Sequence, residues 1–154
     1  MWPYHKELLA RPVPRYTSYP TAAEFRDNIG AAELADALAE LAPGTRASLY
    51  VHIPFCKEIC AYCGCNTGRA NRRERVTAYA EALEREISAL AARVSGRVTL
   101  GRIAFGGGSP NALDAITFVR LTDHILTSFA AANADISIEL DPRTLDAEWA
   151  DILG

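Results

Sequence analysis

Along this chain the spacing of apolar positions switches between two and three-to-four, and each switch marks a change of element. In SLYVHIPF (48–55), Leu49, Val51 and Ile53 alternate with Ser48, Tyr50 and His52, the period of a strand with two unlike faces. Val76, Tyr79, Ala80, Leu83, Ile87, Leu90 and Val94 then follow the spacing of one buried helical face, predicting a helix over roughly 72–94. RIAF (102–105) reads as a short strand, GGGSP as a loop, and 113–130 as a second long helix. Ile136, Ile138 and Leu140 alternate with Ser137, Glu139 and Asp141 in a third strand, and DAEWADIL (146–153) opens another helix. Upstream, Leu34, Leu38 and Leu41 predict a short helix over 31–41, ended by Pro43 and Gly44. Prolines at 12, 14 and 20 forbid a regular helix in the first 30 residues, which read as an extended arm.

The order after residue 46 is therefore β-α-β-α-β with a further helix beginning, which predicts parallel strands joined by right-handed crossovers. The expected division is an arm and helix over 1–45 and three βα units over 46–154. No internal repeat or low-complexity tract interrupts it. Three segments rich in chemistry fall at the carboxyl ends of strands: the cysteine loop after 55, GGGSP, and Glu139–Asp141. In parallel α/β structures that edge is where ligands bind. Helices are expected over the aliphatic strand face, leaving Tyr50, His52 and Glu139 to look into a barrel or crevice. An antiparallel sheet with one wet face would give the same alternation, but the intervening helices argue against it.

Composition narrows the classes. Of 154 residues 49% are apolar and 23% charged, with a formal net charge of −3, an ordinary globular balance. Nothing points to nucleic acid or a lipid surface as partner. The first residues, MWPYHKELLARPVP, lack the apolar core and cleavage site of a secretory signal, and no run approaches the roughly 18 apolar residues that span a bilayer. A cytoplasmic location is expected, where thiols stay reduced and clustered cysteines more often bind metal than pair.

FCKEICAYCGC (55–65) holds all four cysteines, spaced C-x3-C-x2-C-x-C. Disulfides, with three possible pairings, are one reading. A structural zinc site usually draws its ligands from two separated pairs, and no histidine pair lies nearby. A compact run of three thiolates suits an iron–sulfur cube, and three protein ligands leave one iron open. A small electron carrier would instead take a fourth ligand, which Cys65 could supply. Several residues also have plain readings. Alone, GGGSP is a strand-to-helix loop, Glu139 a solvated acid and Tyr62 simple packing. His52 reads as a satisfied interior histidine, and His5 and His124 as surface residues. Arg11 and Arg15 could pair with carboxylates of a substrate or simply be solvated.

Taken in order, these stretches resemble a known family. Cys56, Cys60, Tyr62 and Cys63 match the cluster signature of radical S-adenosylmethionine (SAM) enzymes. PRYTSYPT (14–21), YVHIPFC (50–56), CGC (63–65), GGGSP (106–110) and SIELDPR (137–143) occur in the same order in the oxygen-independent coproporphyrinogen III oxidases. The likeness covers nearly the whole chain. Related haem-handling radical SAM proteins generally lack the terminal CGC and the RYTSYPT arm.

The resemblance implies an α/β fold, the N-terminal part of a partial (β/α)6 TIM-like barrel. It implies that Cys56, Cys60 and Cys63 ligate a [4Fe–4S] cluster whose open iron binds SAM. Tyr50, Gly107 and Glu139 would hold that SAM, and Gly108 and Ser109 would touch a second one, with Ser109 in place of the more usual threonine. A 5′-deoxyadenosyl radical made from SAM would take hydrogen from a propionate of coproporphyrinogen III, and two rounds with loss of CO2 would give protoporphyrinogen IX. The chemistry is then carried by cluster and SAM, with no side chain assigned a catalytic role. The implied partners are coproporphyrinogen III and a reducing donor such as flavodoxin or ferredoxin, acting on a monomer. A closed barrel takes about 250 residues, so the chain reads as an N-terminal fragment from which full turnover is not expected.

Overall fold

The computed structural model describes Lys6 and residues 24–154. The predicted arm, with His5, Arg11 and Arg15, lies outside the described residues. The chain divides into two compact units, Met1–Leu34 and Ala35–Gly154. In chain order the elements are α1 (Ala31–Ala39), β1 (Thr45–Ile53), β2 (Phe55–Cys56), β3 (Gly68–Arg69), α2 (Arg73–Val94) and β4 (Val98–Gly107). A 3-10 turn (Pro110–Ala112) leads into α3 (Ala115–Ser128), then β5 (Asp135–Ile138), a second turn (Pro142–Thr144) and α4 (Ala147–Leu153). The main sheet runs β1-β4-β5 and is parallel throughout, as the alternation of strands and helices predicts.

β4 corrects the sequence expectation. It is ten residues long, Val98–Gly107, where the sequence pattern predicts only RIAF as strand. Its ladder with β1 pairs Ala47 with Leu100 but Ser48 with Arg102, so Gly101 is an extra residue bulging from β4. Leu100 and Ile103 are both buried although three positions apart. The bulge resets the period-two pattern and hid the first half of the strand. Thr45–Ala47 pair with Val98–Leu100, so β1 starts three residues before the predicted strand.

One face of the sheet carries Val51, Ile53, Ile103 and Phe105, all buried. Ala80, Ile87, Ala91 and Val94 of α2 and Phe118, Leu121 and Ile125 of α3 are buried as well, and these residues form the core with Leu113 and Trp149. At about 25 cal/mol per Å² of apolar surface, each such large side chain contributes about 1.5–3 kcal/mol before entropy is charged against it. Cover is incomplete over β5: Ile136, expected on the helix-covered face, is 42% exposed. His124, read as a surface residue, is instead half-buried where α3 meets α2, its Nε2 lying 2.9 Å from Ser88 Oγ and 3.1 Å from Glu84 O. Among the described residues, no helix is long and apolar enough to cross a membrane.

Candidate cofactor site at the carboxyl edge of the sheet

The cysteine loop leaves the sheet where β1 ends. Pro54 separates β1 from β2, which pairs in parallel with β3, a small second sheet that the sequence pattern did not reveal. Gly68 N donates to Pro54 O at 2.9 Å and Ala70 N to Cys56 O at 2.8 Å, which closes the base of the loop. Within it, Cys63 N donates to Cys60 O at 3.0 Å in a tight turn. All four thiols are free; Cys56, Cys60 and Cys63 are half-buried and Cys65 is exposed. Cys56 Sγ shares a hydrogen bond with Thr67 Oγ1 at 3.3 Å, and Cys60 Sγ accepts from Arg143 Nη2 at 3.3 Å. The neighbouring Cys63 pushes the Cys65 thiol above its ordinary range. Tyr62 is 90% exposed, which does not fit the simple packing role.

Among the described residues, no three His, Cys, Asp or Glu side chains are gathered so as to hold one metal ion. A closed zinc site needs four donors converging at about 2.3 Å on a single point, and the loop is not arranged that way. Nor does it form a disulfide. A cube of iron and sulfide asks something different, because each thiolate meets its own iron corner and the sulfurs stay apart. Three half-buried thiols on one short loop, beside the ligand edge of the sheet, fit that group.

The polar strand face gathers the other predicted residues. Tyr50 pairs with Ala104 and His52 with Gly106 in the ladder of β1 with β4, and Glu139 N donates to Phe105 O at 2.9 Å just past β5. Gly106 thus sits between His52 on one side and Glu139 on the other. A Cβ there would lie 2.8 Å from Glu139 Oε2 and 3.2 Å from Tyr50 Cε2, so the bare glycine lets Tyr50 and Glu139 close over the central strand. At Gly107, with φ +109°, a Cβ would stand 2.6 Å from His52 Cε1. The Tyr50 hydroxyl and His52 Nδ1 are 3.1 Å apart, and His52 Nε2 is 3.2 Å from Asn66 O. Since a carbonyl only accepts, Nε2 carries the proton of the neutral ring and Nδ1 accepts from Tyr50. His52, expected as a satisfied interior histidine, has both ring nitrogens partnered but is only half-buried. Desolvation, and after it the negative Glu139, push the Tyr50 phenol above its ordinary value, so Tyr50 stays a neutral hydrogen-bond donor at neutral pH.

Gly108 and Ser109 sit differently from Gly107. A Cβ on Gly108 would meet Phe55 O at 2.5 Å and Thr67 Oγ1 at 2.6 Å, packing this glycine directly under the cysteine loop. Ser109 is buried; its hydroxyl donates to Asn111 Oδ1 and accepts from Asp141 N at 3.0 Å. That hydroxyl is committed within the chain. Asn111, fully buried, donates from Nδ2 to Asp141 O at 3.0 Å and to Thr144 Oγ1 at 3.1 Å. Beyond it, Arg143 grips the Asp141 carboxylate, whose pKa the Arg143 hydrogen bonds hold below its ordinary value. Sequence reasoning assigned no role to Thr67, Asn111 or Arg143. The legible signal for the last was its place in SIELDPR, directly after the strand-end acids.

Comparison with known proteins bears on this geometry. Residues 50–154 match the model of the radical SAM superfamily. The chain is 41% identical over 142 residues to the oxygen-independent coproporphyrinogen III oxidase of Bradyrhizobium diazoefficiens, covering 92% of this chain and 32% of that protein. It is 42% identical over 130 residues to one from Mannheimia haemolytica, covering 84% of this chain and 88% of that shorter sequence. A solved structure of coproporphyrinogen III oxidase from Escherichia coli, described as a radical SAM enzyme, superposes with a TM-score of 0.81 at 36% identity, over 98% of this chain and 34% of that one. The chain spans about a third of the length of the Bradyrhizobium and Escherichia coli relatives.

Proposed function

Because this chain belongs to the radical SAM superfamily, in its branch of oxygen-independent coproporphyrinogen III oxidases, we propose that it is the portion of such an oxidase that holds a [4Fe–4S] cluster and SAM. The reaction served is the oxidative decarboxylation of coproporphyrinogen III to protoporphyrinogen IX, in a cytoplasmic, monomeric enzyme supplied with electrons by flavodoxin or ferredoxin. When bound, cluster and SAM supply the radical chemistry. The chain's own residues place them. Cys56, Cys60 and Cys63 are the thiolate ligands. Tyr50 and Glu139 hold the first SAM, the phenol oxygen as an acceptor, since its one proton goes to His52 Nδ1, and the carboxylate as an acceptor for ribose hydroxyls or an ammonium group. Gly107 offers its backbone beside them. Gly108 and Ser109 are the positions for a second SAM, with Ser109 contributing by shaping the loop, since its hydroxyl and its backbone N–H and C=O are all engaged within the chain.

The observation that carries this reading is the convergence of Tyr50 and Glu139 over Gly106, at the same sheet edge from which the three-cysteine loop departs. An electron carrier with a fully ligated cluster would have no use for such a carboxylate–phenol pair at the edge of its cysteine loop. The test is reconstitution with iron and sulfide without oxygen, followed by EPR of the reduced chain before and after SAM. The expected outcome is a cluster whose spectrum changes with SAM. Cys65→Ala should keep the cluster, and Ala at Cys56, Cys60 or Cys63 should prevent its assembly. A spectrum indifferent to SAM would instead identify a fully ligated carrier, and zinc without iron would reject both readings.

A further inference from the structure

The segment after β5 reaches back to the cysteine loop chiefly through Arg143. Arg143 Nε donates to Asp141 Oδ1 at 2.9 Å and Nη2 to Asp141 Oδ2 at 2.7 Å, a two-pronged fork that fixes the guanidinium plane. Asp141 is itself fixed, because its backbone N–H donates to Ser109 Oγ and Asn111 Oδ1 and its carbonyl accepts from Asn111 Nδ2. The far side of the guanidinium faces the loop. Nη2 also lies 3.3 Å from Cys60 Sγ and 3.4 Å from Glu58 O, and Nη1 lies 3.7 Å from Glu58 Oε2. Alongside, Lys57 Nζ approaches Thr144 O at 3.5 Å and Asp146 Oδ2 at 3.9 Å. The first half of the cysteine loop is thus strapped to residues 141–146.

We propose that Arg143 is a positioning residue for the iron–sulfur cluster: it aims a charge-assisted N–H at the Cys60 thiolate, sets that ligand's place on the loop, and favours the reduced cluster. The inference rests on the reading of Cys60 as a cluster ligand. Reduction adds negative charge that spreads onto the thiolates, and a fixed cationic donor at one of them stabilises the more negative state. Hydrogen bonds to cluster sulfurs are among the levers that set such potentials. Asp141 and Glu58 offset part of that charge, and the effect rests on the oriented N–H: the Nη2 that donates to Asp141 Oδ2 has a second hydrogen for Cys60 Sγ. Arg143 is partly exposed, with 46% of its side chain accessible, so solvent screens its charge and the shift is modest.

The experiment is an EPR-monitored redox titration, without SAM, of the anaerobically reconstituted wild-type chain and of Arg143→Gln and Arg143→Lys. Iron per chain and far-UV circular dichroism are measured alongside. Arg143→Gln is expected to weaken the reduction equilibrium about tenfold, a midpoint lower by about 59 mV for one electron. Arg143→Lys keeps the charge but loses the fork, and should fall between that variant and wild type. If Arg143→Gln does not assemble a cluster, the shift in Arg143→Lys decides. A cluster of wild-type potential in the deciding variant overturns the proposal. So does loss of cluster from both variants with the fold intact, which would reduce Arg143 to scaffold. Failure of the underlying family reading looks different, since the wild-type chain itself would then lack a SAM-responsive cluster.

Discussion

At the scale of single residues, the site is shaped as much by what is missing as by what is present. The triple glycine reads in sequence as a bare surface for a ligand, yet the structure spends part of that bareness on its own side chains. Glu139 and Tyr50 close over Gly106, His52 presses on Gly107, and Thr67 and Phe55 O crowd Gly108. Gly107 and Gly96 separate two costs of a substituted glycine. Both have positive φ, +109° and +72°, but a Cβ on Gly96 would meet nothing within 4 Å. Gly96→Ala should therefore cost only the backbone penalty, about 1–2 kcal/mol. Gly107→Ala adds displacement of the His52 ring and loss of its links to Tyr50 and Asn66, and should cost about 2–4 kcal/mol once such a strained conformation and a broken hydrogen bond are summed. Urea denaturation of both variants checks the order. Equal losses would show that His52 yields freely and that the site does not depend on its position.

At the scale of elements, the helices were legible because their signals are local. The apolar stripe of α2 predicted 72–94 and the helix spans Arg73–Val94. α3 and α4 start behind aspartate caps that the apolar pattern did not mark, Asp114 accepting from Thr117 N at 2.8 Å and Asp146 from Trp149 N at 3.0 Å. The strands were legible only where alternation ran unbroken. Gly101 shifted the register of β4, and the two-residue β2 and β3 are too short to show any period. The cap at Asp114 carries a prediction with a pH signature. Burial acts to raise its carboxyl pKa, but hydrogen bonds from the Thr117 N–H and hydroxyl outweigh that and hold it below its ordinary value. A depressed folded pKa means the cap's contribution is complete above the unfolded value of about 3.9 and fades as pH falls through the folded one. Asp114→Ala should thus cost about 1 kcal/mol at pH 7, lowering Tm by about 2–4 °C. The gap between variant and wild type should narrow below about pH 4. Thermal melts at pH 7 and pH 3 check it, and a gap that widens in acid would contradict the capping role.

At the scale of the whole molecule, the parallel direction of the strands and the sheet edge carrying the chemistry followed from the β-α alternation. The spacing C-x3-C-x2-C and the strand-end acids placed the candidate site at that edge. The long-range clasps were not legible: nothing in the sequence links Arg143 to Cys60, 83 residues away, or makes Asn111 the hub of a buried network. Such links depend on which side chains the crossovers bring together, and no local period encodes that. Trp149 belongs to the same class. DAEWADIL showed a helix beginning, but not that its tryptophan would be 1% exposed, 4.7 Å from the Phe118 ring centroid, with Nε1 donating to Leu113 O at 3.2 Å. Phe118 in turn stands 4.9 Å from Phe105, so a run of three rings joins β4, α3 and α4. Through α4 this run also bears on Asp146, which flanks the cysteine loop at Lys57. If the run is part of the cooperative core, Trp149→Ala should cost about 3–5 kcal/mol, the range for emptying a buried aromatic site. Trp149→Phe should cost about 1–3 kcal/mol, chiefly for the unsatisfied Leu113 carbonyl. Urea unfolding followed by far-UV circular dichroism measures both. A loss under about 1 kcal/mol for Trp149→Ala would mean that α4 unfolds on its own and that the strap on the cysteine loop is anchored by Asp141 and Asn111 alone.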